Sequence, residues 1–407
     1  MHKRSNPHLI TGIALALIVL LAFFVRSSNI ENIPAGLYPD EAVNAADAMA
    51  ANETGNYKLF YPNNYGREGL FINLQALALK IFGNSIFALK FWSIIFGTLT
   101  VLGLYFLAKE LFKRRVAGLI AAFITATSFW AINFSRIGFR AIMTSFILSF
   151  TFYFFFRGLR TRTCKDFLWS GLIFGLGLHT YIAFRVAPII FIVLIPAFLL
   201  SYEDFLKRYY KHALVFIFSA FVSASPLLYH FFISNPSDFS SRSGAVSVFS
   251  PRINGGHPWQ TLSQTFGTSL LKYNFWGDQN WRHNYPPYPI LDPFVGTFFL
   301  AGFLYIIWQT VILFGRRVRD GNRDQRLVRN FFLLGSFFVM LIPEFLTNEG
   351  LPHALRSIGT QTPVFLMATL PALWLAKKAL HHGRQTLHSQ RGARIAFLSL
   401  FLFFSRR

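Results

Sequence analysis

Residues 86–108 read IFALKFWSIIFGTLTVLGLYFLA, 23 residues with one charge, Lys90. A helix needs about 20 apolar residues to cross the hydrocarbon core of a bilayer. The run is followed by Lys109, Lys113, Arg114 and Arg115, a cluster of the kind retained on the cytoplasmic side. Working outward, comparable runs occupy Leu9–Val25 and Leu214–Ile233. Spans are expected near 9–25, 86–108, 116–134, 141–156, 167–182, 186–200, 213–233, 293–314, 331–346 and 358–376. The runs are too long and too uniformly apolar for barrel strands, which alternate over ~10 residues. Charged residues make up 14% of the 407, against about 25% in soluble domains. A soluble enzyme and a disordered chain are excluded, and an all-α polytopic membrane protein is expected.

The net charge of +22 has a topological cause. With the N-terminus inside, the expected cytoplasmic segments are 1–8, 109–115, 157–166, 201–212, 315–330 and 377–394. They carry 24 of the 39 Lys and Arg residues, as the positive-inside rule requires, so no nucleic-acid partner is expected. The same rule decides residues 68–82, which are apolar but carry Asn73, Gln75 and Lys80. If they crossed, the 109–115 cluster would fall outside. They are therefore expected as an interfacial helix. No small-residue cleavage site follows the first span, which reads as an uncleaved signal anchor. A lone Cys164 excludes an intramolecular disulfide. The division expected is a membrane module over 1–376 and a basic segment over 377–407. The apolar stretch Ile395–Phe404 is short for a span; it lies on the inner surface or belongs to a truncated element.

Two long outer loops, 26–85 and 234–292, interrupt the membrane pattern. Eleven of the 17 acids fall on the outer side or in outer halves of spans, so chemistry is expected there. In Tyr38-Pro39-Asp40-Glu41, two readings stand. Asp40 caps a helix over 42–51 and Glu41 complements its dipole, or the pair serves as general base or metal ligand. Arg67 and Glu68 lie in a turn before the interfacial helix, and pair with lipid headgroups, with each other or with substrate. Ser135-Arg136-Ile137-Gly138-Phe139-Arg140 puts two arginines on the outer side. That placement costs insertion energy unless they are used, and guanidinium forks suit phosphate oxygens. His179, Tyr181 and Arg185 close the fifth span, either as packing groups or as substrate contacts. In the second loop, His257 and Trp259 stand among aromatics that belong to an interface belt or stack on sugar faces. Glu349, His353 and Arg356 share the last outer turn.

No Walker A loop, dinucleotide loop, zinc-protease helix or nucleophile elbow is present. An outward-facing site has no nucleotide sugar to use. The energy for transfer must arrive with the substrate, most naturally on a lipid.

These features, in order, resemble the GT-C glycosyltransferases of family 39, the protein mannosyltransferase and lipid A aminoarabinose transferase group. The resemblance rests on the basic signal anchor, Asp40-Glu41, Tyr65-Gly66-Arg67-Glu68-Gly69-Leu70-Phe71, and Phe82-Gly83-Asn84-Ser85. It extends through Leu107-Ala108-Lys109-Glu110-Leu111-Phe112 and the 135–140 turn, with a further match at His353-Ala354-Leu355-Arg356. It implies a GT-C helix bundle of 10–11 spans with interfacial helices in the first outer loop. It also implies a polyprenyl-phosphate sugar donor and inverting transfer to a lipid, glycan or protein acceptor outside a bacterial cytoplasmic membrane. Asp40, with Glu41 beside it, would be the base. Arg67, Arg136, Arg140 and Arg356 would hold the lipid phosphate. His179, Tyr181, Arg185, Trp259, Glu349 and His353 would contact substrate. Some members bind a divalent metal, for which Glu68 and His257 are the nearest counterparts. The competing reading is a lipid-linked sugar flippase, which would need polar groups through the full depth of the spans.

Overall fold

A computed structural model describes residues 7–240 and 246–389. Eight of its helices are long and apolar enough to cross a membrane. Chain order begins with α1 (Pro7–Ser27), α2 (Pro39–Thr54), α3 (Gly69–Phe82) and α4 (Ile86–Phe112). Next come α5 (Arg115–Thr127), α6 (Phe129–Arg136), α7 (Ile142–Thr161), α8 (Cys164–Leu176), α9 (Pro188–Ser201) and α10 (Phe205–Tyr229). The last four are α11 (Pro258–Leu271), α12 (Pro293–Asp320), α13 (Arg326–Phe345) and α14 (Gln361–Ser389). The stretch 395–404 lies outside the described residues.

Local chemistry sets many of the ends. Ser85 accepts a hydrogen bond from the Ala88 N–H and caps α4. Asp292 does the same for α12 through the N–H groups of Phe294 and Val295, with Pro293 at the first helical position. Between helices, apolar contacts gain nothing over lipid, so close packing holds the bundle. Its centre is aromatic: Phe152 of α7 lies 4.4 Å from Phe332 of α13, ring centre to ring centre. Gly171 and Gly175 press α8 onto α10, where a Cβ would come within 2.3 Å of the Phe216 carbonyl and 2.1 Å of that of Ala220.

Two expected spans differ. The 116–134 stretch is broken into α5 and α6, which meet at 56°. Arg26, fully buried at the end of α1, donates to the carbonyls of Thr125 and Ala126. It takes the place of the N–H groups that a continuing helix would have supplied. The 167–182 stretch becomes the 13-residue α8 and a 3₁₀ turn over Gly177–His179. A second 3₁₀ turn, Ile182–Val186, leads into α9. The interfacial helix forms as α3, packed between α2 and α4. A short ribbon precedes it, pairing Phe60–Tyr61 with Arg67–Glu68. A Cβ on Gly69 would lie 2.0 Å from the Lys58 carbonyl, so only glycine fits where the ribbon enters the helix.

The bundle therefore has two unlike ends. One, the loop face, carries α2, α3, α11 and the segments 272–292 and 347–357. The other, the basic face, carries the short loops 113–114, 162–163 and 321–325.

Candidate functional site at the loop face

The site begins at the first turn of α2. Tyr38, not Asp40, occupies the capping position, and Glu41 accepts the Tyr38 N–H at 3.1 Å. The second carboxylate oxygen of Glu41 accepts the Gly138 N–H at 2.7 Å, and the Lys90 ammonium stands 3.9 Å away. Burial pushes the Glu41 carboxyl above its ordinary range, against the opposing pull of Lys90 and the two N–H groups. Glu41 is thus held as a buried staple between the first loop and the 137–140 turn.

Asp40 is left free of capping duty. Its carboxylate is 42% exposed and accepts from Asn64 at 2.7 Å and from Arg282 at 3.1 Å. It opens into a small cavity of about 50 Å³, also lined by Asn64, Arg140, Tyr181, His353 and Arg356. Residues from five distant segments meet here.

Arg140 and Arg185 both bind the buried Glu68, at 3.2 and 3.1 Å. Two guanidiniums on one carboxylate leave an unbalanced positive charge beside Asp40. Arg140 also lies over the Tyr181 ring, 5.3 Å from its centre. Arg356 is held by Thr347 and Glu349. Arg185, Tyr181 and Arg356 further line an apolar cavity of about 320 Å³, walled by Ile182, Val186, Phe239, Ile342 and Leu346. The turn bearing His353 is fixed from below. Lys272 and Glu344 form a fully buried pair, and Glu344 accepts the His353 N–H at 2.9 Å.

Other expected site residues sit elsewhere. Arg136 donates to the carbonyls of Val25, Ser28 and Ile33 and ties down the start of the first loop. Arg67 is buried against Asn44, Asp47 and the Asn63 carbonyl. Both guanidiniums are occupied inside the protein, and neither lines the cavity at Asp40 as Arg140 and Arg356 do. His179 is buried and bonded to the Ser223 carbonyl. Trp259 is exposed and stands edge-on to Phe249. His257 is exposed at the N-terminus of α11, while Glu68 is buried and engaged by two arginines.

A different metal-type group is present. Ligand atoms of Asp278, His283 and His353 lie within 4.8 Å of one another. Asp278 accepts the His283 Nδ1–H at 3.0 Å, the Ala354 N–H at 2.7 Å and the Asn280 N–H at 2.8 Å. That bond places the free lone pair of neutral His283 on Nε2. Two imidazoles and a carboxylate suit zinc-type ions. Sequence reasoning passed over Asn64, Asp278 and Arg282. The polar run Asp278-Gln279-Asn280 ahead of Trp281-Arg282-His283, inside a loop otherwise rich in aromatics, was the available signal.

Comparison with known proteins agrees with this architecture. The profile of the family described as dolichyl-phosphate-mannose-protein mannosyltransferase matches residues 70–230. No curated protein matches the chain. Among solved structures, the chain is similar to an archaeal oligosaccharyltransferase, AglB from Archaeoglobus fulgidus, in complex with an inhibitory peptide and a dolichol-phosphate. That match has a TM-score of 0.58 and 17% identity over 97% of this chain and 54% of that one. An Archaeoglobus fulgidus oligosaccharyltransferase in complex with zinc and sulfate gives a TM-score of 0.52 at 16% identity, covering 96% of this chain and 51% of the other. ArnT from Cupriavidus metallidurans, bound to undecaprenyl phosphate, gives a TM-score of 0.52 at 13% identity. There the match covers 88% of this chain and 59% of ArnT. The chain thus spans a little over half the length of each. The all-α membrane helix bundle read from the sequence is the fold observed, with eight helices among the described residues long and apolar enough to span, or nine counting the bent α5–α6 pair, where 10–11 were expected.

Proposed function

We propose that this multi-pass membrane protein is a glycosyltransferase that moves a sugar from a polyprenyl-phosphate donor to an acceptor hydroxyl or amide at the loop face. One observation carries the reading. A half-exposed carboxylate, Asp40, faces a cavity shared with Arg140 and Arg356, and Arg356 and Arg185 line the adjoining apolar cavity. That is the set of groups a lipid-phosphate sugar needs: a base, cations for phosphate and an apolar bed for the chain. The structural neighbours that hold dolichol-phosphate and undecaprenyl phosphate support the same donor chemistry.

In this mechanism Asp40 takes the proton from the acceptor as its heteroatom bonds to the anomeric carbon. The bond between that carbon and the phosphate oxygen breaks, and its electron pair leaves with the polyprenyl phosphate. Attack opposite the leaving group inverts the configuration. The phosphate gains one negative charge, which Arg140 and Arg356 stabilise directly, with Arg185 beside them. Asn64 and Arg282 hold Asp40 in place, and Glu68 holds Arg140 and Arg185. Where a divalent metal takes part, His283 and His353 would hold it, with Asp278 fixing the His283 ring, and the metal would supply Lewis-acid assistance. By the positive-inside rule the loop face is extracytoplasmic, so the donor arrives in the outer leaflet. The test is turnover by purified protein given a panel of radiolabelled polyprenyl-phosphate sugars. Release of label from one donor supports the reading; a panel with neither binding nor release contradicts it.

A further inference from the structure

At the basic face, on the far side of the bundle from Asp40, the ends of α4 and α7 and the starts of α10 and α13 surround a cavity of about 460 Å³. Lys113, Arg160, Arg162, Arg208, Arg326 and Arg329 line it, against a single carboxylate, Glu110. Glu110 is shared by Lys113 at 2.5 Å and Arg160 at 2.7 Å, and Arg326 is paired with Asp324 at 2.6 Å. Among the described residues, Arg162 and Arg208 have no carboxylate partner.

Arg329 differs in kind. Its guanidinium is half-buried, 5.7 Å from the centre of the Phe112 ring, and bonded to neutral groups only, Gln309 at 2.5 Å and Asn330 at 3.0 Å. Asp324, the acid that acts on it electrostatically, is bonded to Arg326 instead, and a guanidinium drawn from water with no bonded counter-charge is costly unless an anion completes it. Topology explains why basic residues occupy these loops. It does not explain why those of four segments converge on one cavity, or why two amides from α12 and α13 buttress a guanidinium inside it. Beside Gln325, Tyr202 and Tyr209, part of the remaining wall is apolar, with Phe112, Phe156, Leu159 and Val328. A free anion has no use for that wall, whereas the glycerol and upper acyl carbons of a lipid do.

We propose that this cavity binds the phosphate headgroup of an anionic membrane lipid, at a site separate from the transfer centre. Arginine forks bind phosphate oxygens in pairs, and basic recesses between membrane helices are suited to acidic headgroups. The proposal does not depend on the transferase reading.

The test uses the full-length protein in an uncharged detergent. Short-chain phosphatidylglycerol, short-chain phosphatidylcholine and inorganic phosphate are titrated separately, with retained lipid read by native mass spectrometry and stabilisation by the shift in Tm. The expected result is at least tenfold tighter retention of phosphatidylglycerol than of phosphatidylcholine. Retention should fall at least tenfold in Arg329→Gln and in the double variant Arg162→Gln/Arg208→Gln. The double variant alters two exposed side chains and so keeps the test valid if Arg329→Gln misfolds. Equal retention of the two lipids, or retention unchanged in the double variant, overturns the proposal. Equivalent stabilisation by inorganic phosphate overturns the lipid assignment and makes the cavity a soluble-phosphate site.

Discussion

At the scale of single residues, adjacent side chains take opposite roles. Asp40 faces the cavity and Glu41 faces the interior, because the first turn of α2 points them in different directions. Glu41→Ala leaves two buried N–H groups without an acceptor and should cost about 1–3 kcal/mol. Glu41→Gln keeps an acceptor oxygen and should cost less. Because burial raises the Glu41 pKa, the folded state favours the protonated acid. That contribution is complete below the unfolded pKa and lost as pH rises through the folded one. Wild type should therefore lose Tm relative to Glu41→Gln as pH rises through that window. Parallel curves across pH would contradict the assignment. Among the arginines, Arg140→Ala and Arg356→Ala should weaken donor binding by about tenfold or more, with lysine only partly restoring it. Arg136→Ala should lower Tm while donor binding, measured on the folded fraction, stays near wild type. The sequence shows that all these residues lie near one membrane edge. It does not show what each guanidinium touches, because the carbonyls that hold Arg136 come from residues more than 100 positions away.

At the scale of elements, the spans were legible because crossing a bilayer demands about 20 apolar residues wherever they occur. The interfacial helix was legible too, since charge parity forbade it to cross. The break between α5 and α6 was not, because it depends on Arg26 reaching across from α1 to the Thr125 and Ala126 carbonyls. Nor was the shortening of α8, where the chain turns into 3₁₀ structure and carries Tyr181 and Arg185 to the site. Arg26→Leu removes the donors to those carbonyls and should lower stability by about 1–3 kcal/mol. It should also loosen the 128–140 segment, seen as faster amide exchange there than in α7. Unchanged exchange would mean that the bend is set by something other than Arg26.

At the scale of the molecule, the protein is polarised. Acids, amides and histidines gather at the loop face, and arginines without matching carboxylates gather at the basic face. A flippase would need polar groups continuous between the two, yet the centre of the bundle is packed with phenylalanine, as the Phe152–Phe332 contact illustrates. In the proposed transfer Asp40 is the base. The most direct measurement compares wild type with Asp40→Asn, using a donor that the wild type turns over. Binding and single-turnover transfer are followed separately. Donor affinity should stay within a few-fold of wild type, and the transfer rate should fall by about 100-fold or more. Transfer near the wild-type rate in Asp40→Asn would contradict that role.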